Sequence, residues 1–166
     1  MPILVVGVGN PLKGDDGFGV AALAAFRRQP LPDHVCCLET GIGGMHLVQE
    51  LMRGYDALIL FDAVDRGDAP GRVVVLDPIL PGLDDLTDTE RRDYFCETHY
   101  AVPVRALTLA REVGVLPDVV RIVGCQVADS DSYGLGLDPV IAAAIPRAVQ
   151  AAADLVEQLR QDFQVG

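Results

Sequence analysis

Tryptophan is absent from this 166-residue chain, and positive charge is scarce, with 13 basic against 24 acidic residues. The net charge of −11 argues against nucleic acid or an anionic membrane as a partner. No apolar run approaches the ~18 residues that a membrane-spanning helix requires. No basic leader with a cleavage-type segment precedes the first apolar stretch, so we expect a cytoplasmic protein. Half of the residues are hydrophobic, which favours one folded domain over residues 1–166, and we expect a monomer.

Paired cysteine motifs and a serine nucleophile motif are also missing. The four cysteines, Cys36, Cys37, Cys96 and Cys125, contain no C-x-x-C spacing, so reduced thiols are expected rather than a disulfide framework. Cys96 and His99 have C-x-x-H spacing, but the second half of a zinc motif is missing. Without a G-x-S-x-G sequence, a serine hydrolase triad is poorly supported.

Alternating strand-like and helix-like runs set the expected fold. Runs rich in Val, Ile and Leu lack the alternation of apolar and polar residues that is typical of half-exposed strands. They therefore predict strands that are buried on both faces. These strands lie at Ile3–Val8, His34–Leu38, Asp56–Val64, Arg72–Leu76 and Val119–Val127. Helices are predicted at Gly17–Arg28, Gly44–Arg53, Ala101–Val113 and Pro139–Gln161. The pattern predicts an α/β three-layer sandwich, a mainly parallel five-stranded twisted sheet with helices on both faces.

Two connections depart from the strand–helix alternation. The segment between Val64 and Arg72 is too short for a crossover helix, so the fourth strand is predicted to be antiparallel and near a sheet edge. The polar stretch 77–98 is predicted to be a long loop with a short helix at Asp85–Tyr94. Loops of this length in compact domains are often functional.

The turn after the first strand lacks the third glycine of a dinucleotide site. It reads Gly7-Val8-Gly9-Asn10-Pro11-Leu12 and is followed by Asp15 and Asp16. A phosphate cradle needs bare backbone amides and no negative charge, and these two carboxylates would repel a phosphate. The chain is Rossmann-like in pattern, but its charges predict a cationic or polar neutral ligand. A nucleotide-binding module is kept as an alternative function.

Two aspartates are predicted to meet at one rim of the sheet. Asp16 follows the first strand, and Asp62 lies near the end of the third, inside an apolar run. An ionised carboxylate in such a run is energetically costly unless it reaches the edge of the sheet, a partner or a metal. The alternative for Asp62 is that it caps a helix or a turn. Carboxyl ends of parallel strands line the ligand crevice of open α/β sheets.

His99 and Glu39 complete the candidate site residues. His99 follows the long polar stretch and returns to about the same rim, although it could instead cap or pack at a helix start. Two carboxylates and one imidazole suit nickel or zinc, so an independent zinc metallohydrolase is a second alternative function. Glu39 opens a glycine-rich segment after the second strand, which is either a substrate-facing loop or a simple turn.

These motifs together resemble the hydrogenase maturation endopeptidases, which process the large subunit of [NiFe] hydrogenases. The resemblance runs essentially end to end. It includes the Thr98-His99 pair, the strand ending in Phe61-Asp62-Ala63, and the opening motif Gly7-x-Gly9-Asn10-x-Leu12-x-x-Asp15-Asp16-Gly17-x-Gly19.

The resemblance implies an activity and a set of site residues. It implies an endopeptidase that removes a short C-terminal peptide from the nickel-loaded large-subunit precursor. Asp16, Asp62 and His99 fall on the family's catalytic and metal-contacting positions, and Glu39 matches a substrate-binding region only weakly. The nickel belongs to the substrate, so no tightly bound cofactor is expected, and zinc or cadmium could substitute for the nickel.

Overall fold

The strands form one five-stranded sheet in the computed structural model, which describes residues 1–84, 86–90, 92, 102–128 and 133–165. The strand order is β2-β1-β3-β5-β4. The β4 strand pairs antiparallel with β5, and the other pairs are parallel, which confirms the predicted mainly parallel sheet with an antiparallel edge strand. The strands are β1 (Ile3–Val8), β2 (Val35–Gly41), β3 (Ala57–Val64), β4 (Val73–Leu76) and β5 (Val119–Gln126).

Helices cover both faces of the sheet, which confirms the predicted α/β architecture. They are α1 (Phe18–Phe26), α2 (Gly44–Leu51), α3 (Val102–Glu112), α4 (Pro139–Ala142) and α5 (Ile145–Val165), and a 3-10 turn, Gly14–Gly17, precedes α1. Side chains alternate along β1, so Ile3 and Val5 pack with α1 and α5 on one face. Leu4 and Val6 pack with α2 and α3 on the other.

Gly19 allows α1 to lie directly on the centre of the sheet. A Cβ atom at this position would overlap the carbonyl oxygens of Val8, at the end of β1, and Phe61, within β3. The first turn of α1 therefore lies over the gap between these two central strands. The packing brings the preceding turn, with its two aspartates, to the carboxyl-end rim.

Two elements differ from their predictions by more than a shift of one or two residues at an end. The β2 strand continues through Glu39 to Gly41, because Glu39 pairs with Gly7 of β1, so Glu39 lies in a strand rather than in a loop. The predicted helix from Pro139 is interrupted at residues 143–144, between α4 and α5. Pro146 accounts for the break because proline lacks the N–H that a continuous helix would bond to Ala142.

The stretch 139–163 has the length and mean hydropathy of a membrane-crossing helix. In the fold it is broken after Ala142, and its buried stripe packs in the same core cluster as α1 and the sheet. This stripe contains Ala148, Val149, Ala152 and Val156. A core helix passes the same hydropathy test, so hydropathy by itself does not identify a membrane span here.

Part of the predicted helix at 85–94 is described. Residues 88–90 and 92 are helical. Thr87 and Glu90 form a capping box, in which the Glu90 N–H donates to Thr87 Oγ1 (3.3 Å) and the Thr87 N–H donates to Glu90 Oε2 (2.8 Å). The Thr87 hydroxyl and then the Thr87 N–H lower the pKa of Glu90 by donating hydrogen bonds to its carboxylate.

Candidate active site

Asp16 is held in a tight turn at the carboxyl end of β1. The Asn10 N–H donates to Asp16 Oδ2 (2.7 Å), and the Asp16 N–H donates to the Lys13 carbonyl (3.1 Å). Gly9 has a φ of 124°, and a Cβ atom there would overlap the Asp16 carbonyl oxygen, so the turn requires glycine at this position. The Asp16 carboxylate is thus fixed by backbone contacts and stays partly accessible.

Asp62 lies on β3, beside β5 and near Asp16. It pairs with Gly124 of β5 and follows five fully buried β3 residues. Burial and, to a smaller extent, the negative charge of Asp16 raise the pKa of Asp62, a hydrogen bond from the Ala63 N–H lowers it, and the net result is a pKa of about 7. The 3-10 turn that carries Asp16 contacts β3, so the structure brings Asp16 and Asp62 together at one rim. A carboxyl with this pKa is partly protonated near neutral pH.

The pair of carboxylates suits a positively charged ligand. The negative charges of Asp16 and Asp62 repel each other, which raises the pKa of Asp62. A divalent cation between them would relieve both the repulsion and the cost of burying Asp62. The two carboxylates therefore suit a divalent cation as a ligand.

His99 lies outside the described residues, and its role stays a prediction. Within the described ranges, no group of three or more His, Cys, Asp or Glu side chains is placed to hold a metal ion. Of the three predicted metal-contacting residues, the structure describes Asp16 and Asp62.

Glu39 is placed two residues before the end of β2 and is exposed. In the described part of the chain, no hydrogen bond or ion pair joins its carboxylate to Asp16 or Asp62. Its pairing with Gly7 nevertheless puts Glu39 near the same rim of the sheet, and β1 lies between it and β3. Its role in substrate binding stays a prediction.

Asp15, the neighbour of Asp16, has a structural contact that sequence reasoning missed. Its Oδ1 accepts from the Asp138 N–H (2.7 Å), and Asp138 in turn caps α4 by accepting from Val140 N–H (2.8 Å). Burial is the main cause that raises the pKa of the Cys125 thiol to about 11, and the charge of Asp15 adds to it. Asp15 therefore ties the turn after β1 to the loop after β5. The Asp138-Pro139 pair, an N-cap followed by proline, was the available sequence signal.

Gln126 is a second residue that the sequence analysis missed. It is buried at the end of β5, and its Oε1 accepts from the Arg66 N–H (2.8 Å) while its Nε2 donates to Asp65 Oδ1 (3.1 Å). These contacts hold the connection between β3 and β4 close to the rim that carries Asp62. A lone amide ending an apolar run was the signal that could have identified it.

Comparison with known proteins identifies relatives over most of the chain. The family model for hydrogenase maturation protease matches residues 20–155. The hydrogenase expression/formation protein HupD of Rhizobium leguminosarum bv. viciae is 34% identical over 151 residues, covering 90% of this chain and 71% of the relative. HupM of Azotobacter chroococcum is 36% identical, covering 94% and 72%. The structure of the E. coli hydrogenase maturating endopeptidase HybD superposes with a TM-score of 0.73 at 30% identity, covering 95% of this chain and 94% of that one.

Proposed function

This chain belongs to the hydrogenase maturation protease family, and we propose that it removes the C-terminal extension of a nickel-loaded [NiFe] hydrogenase large-subunit precursor. The observation that supports this most directly is the placement of Asp16 and Asp62 together in the crevice of the family fold. The substrate in this proposal is a folded protein that carries its own nickel, and the chain needs no tightly bound cofactor.

The two aspartates have separate roles in this proposal. Asp16 is fixed by the Asn10 N–H and presents a carboxylate oxygen toward the rim. Asp62 lies deeper, at the end of β3, where a reduced contact with water strengthens its interaction with a cation. We propose that both approach the substrate nickel with His99, and that this contact positions the scissile peptide. A zinc or cadmium ion would occupy the same donors as a surrogate.

Two chemical routes to peptide hydrolysis follow from these groups. In one route, a carboxylate removes a proton from a water molecule, which attacks the scissile carbonyl carbon, and the same proton then passes to the leaving amine as the C–N bond breaks. In the other, the substrate metal polarises the carbonyl or the water. Both routes place the peptide bond beside Asp16 and Asp62, so substitution of either aspartate removes processing in both cases.

The two alternative functions receive no support from the relatives. The matched proteins are hydrogenase maturation and formation proteins rather than nucleotide-binding modules or zinc hydrolases. A phosphate site would need the Asn10 N–H to face the phosphate. In this structure the Asn10 N–H already donates to the Asp16 carboxylate, which argues against a nucleotide at this turn.

Location and assembly are part of the proposal. We propose that the chain works in the cytoplasm, since Cys36, Cys37 and Cys125 are free thiols, as is typical of a reducing compartment. A monomer suffices because one chain supplies both Asp16 and Asp62. The acidic net charge supports a protein partner and not nucleic acid or an anionic membrane.

Mass spectrometry of the precursor tests the activity. The purified chain is incubated with the nickel-loaded large-subunit precursor of the same organism, and the expected result is a mass loss equal to one C-terminal peptide. Asp16→Ala, Asp62→Ala and His99→Ala should each abolish the loss, and Asp118→Ala, at an exposed position before β5, should process at the parental rate. An aspartate or histidine variant with parental activity would remove that residue from the mechanism.

A further inference from the structure

Three large apolar side chains are exposed on two loops at the carboxyl-end rim. Leu12, in the turn after β1, is 61% exposed, and Tyr133 and Leu135, in the loop after β5, are 82% and 86% exposed. We refer to these three residues as the apolar patch. Single exposed apolar residues are common, but a contiguous group of them marks an interaction surface.

Backbone hydrogen bonds join the two loops into one surface. The Gly14 N–H donates to the Gly134 carbonyl (2.8 Å), and the Gly134 N–H donates to the Leu12 carbonyl (3.0 Å). The Lys13 ammonium group also lies 5.7 Å from the centre of the Tyr133 ring. The three apolar residues therefore belong to segments that are paired with each other, although they are distant in sequence.

The apolar patch has a fixed position relative to the candidate active site. Leu12 and Asp16 lie in the same turn, in which the Asp16 N–H bonds to the Lys13 carbonyl (3.1 Å). The hydrogen bond from Asp138 to Asp15 (2.7 Å) fastens the end of the second loop to the same turn. The patch therefore lies beside Asp16, where a polypeptide bound at Asp16 can contact it.

We propose that the apolar patch is the docking surface for an apolar segment of the protein substrate beside its cleavage site. This inference rests on the proposed function for the identity of the partner. Tyrosine and leucine side chains supply apolar area for such a contact, and aromatic residues are enriched among the residues that dominate binding energy at interfaces. Docking through this patch does not involve the nickel, so it persists with a nickel-free precursor.

The test separates docking from cleavage. A fluorescently labelled nickel-free precursor is titrated with the wild-type chain, with the Tyr133→Ser/Leu135→Ser double variant and with Ile79→Ser as matched control. Ile79 is 92% exposed but follows β4, whose antiparallel direction takes it to the opposite end of the sheet. The double variant should bind at least about tenfold more weakly, and the control should bind like wild type.

Kinetics with the nickel-loaded precursor provide the second readout. The double variant should raise KM by a similar factor and leave kcat within about twofold of wild type, because the patch binds the substrate without contacting the scissile bond. Equal binding by the double variant and wild type, or a lower kcat at unchanged KM, would overturn the docking proposal. Sedimentation of the free chain excludes another occupant: a wild-type dimer that the double substitution converts to a monomer would make the patch a self-association surface.

The docking proposal and the proposed function fail in different ways. A wild-type chain that binds the precursor through the patch but never shortens it would contradict the endopeptidase function and leave the docking surface in place. A chain that cuts the precursor with the same KM after the double substitution would retain the function and contradict the docking surface. Matching melting curves for wild type and both variants confirm that all three chains are folded.

Discussion

Asp62→Asn should stabilise the fold at neutral pH and remove part of its pH dependence. Burial and the charge of Asp16 raise the pKa of Asp62 from 3.8 to about 7. The folded chain therefore keeps this proton up to about pH 7, whereas the unfolded chain releases it near pH 3.8. The unfolding free energy of wild type falls across this interval as pH rises, and the loss is complete above pH 7.

The size of the effect follows from the pKa. A tenfold change in a protonation equilibrium is worth about 1.4 kcal/mol, so ionised Asp62 costs the folded chain up to about 4 kcal/mol. The side chain is only partly buried, and remaining contact with water reduces the expected gain from Asp62→Asn to about 1–3 kcal/mol at pH 8. An asparagine oxygen still accepts from the Ala63 N–H, so the substitution keeps this hydrogen bond.

Urea unfolding followed by circular dichroism at several pH values measures this difference. The free-energy difference between Asp62→Asn and wild type should be near zero at pH 4 and grow to its full value by pH 8. Asp118→Asn, at an exposed position at the other end of the sheet, should show no such growth. A difference that is constant with pH, or an Asp62→Asn chain that is less stable at pH 8, would refute the assignment of a costly buried carboxylate.

Three further predictions concern packing, the rim and metal binding. Gly19→Ala should destabilise the fold by about 2–3 kcal/mol because its Cβ would overlap two strand carbonyls, whereas Gly82→Ala, with open space around it, should be nearly neutral in the same denaturant titration. Gln126→Ala should leave the Arg66 N–H without its acceptor and lower the free energy of unfolding by about 1–3 kcal/mol. Amide hydrogen exchange at residues 65–72 should become faster, and unchanged exchange there would contradict the structural role of Gln126. Calorimetry should show weak, reversible binding of Ni²⁺ or Zn²⁺ that Asp62→Asn weakens, and a binding free energy of about 10 kcal/mol or more, as in structural zinc sites, would contradict an open site that meets its metal on the substrate.

The layered architecture was predictable because its causes are local. Ile3–Val8 and the first five residues of β3 are apolar and buried throughout, which is the pattern of strands covered on both faces. The short connection before β4 required an antiparallel edge strand, as observed. The end of β2 was not predictable, since Glu39 and Gly41 have weak strand propensity and stay in the strand through pairing with β1.

The proximity of Asp16 and Asp62 could be predicted from the topology, but the hydrogen bonds that hold the surrounding loops in place could not. Asp16 follows β1 and Asp62 lies near the end of β3, and the carboxyl ends of such parallel strands meet at one rim. The contact of Asp15 with Asp138 joins residues 123 positions apart, and no local pattern specifies it. The same holds for Gln126, whose partners lie on another connection. Long-range contacts of this kind depend on the packed fold rather than on sequence spacing.

The dependence of processing on nickel tests the central claim most directly. The same precursor is prepared with and without nickel, and the loss of its C-terminal peptide is followed by mass spectrometry at equal concentrations of the wild-type chain. The proposed function predicts cleavage of the nickel-loaded form alone, because Asp16 and Asp62 position the peptide through the substrate metal. Equal rates of cleavage for the two forms would contradict the account, since the two carboxylates would then have no metal to contact.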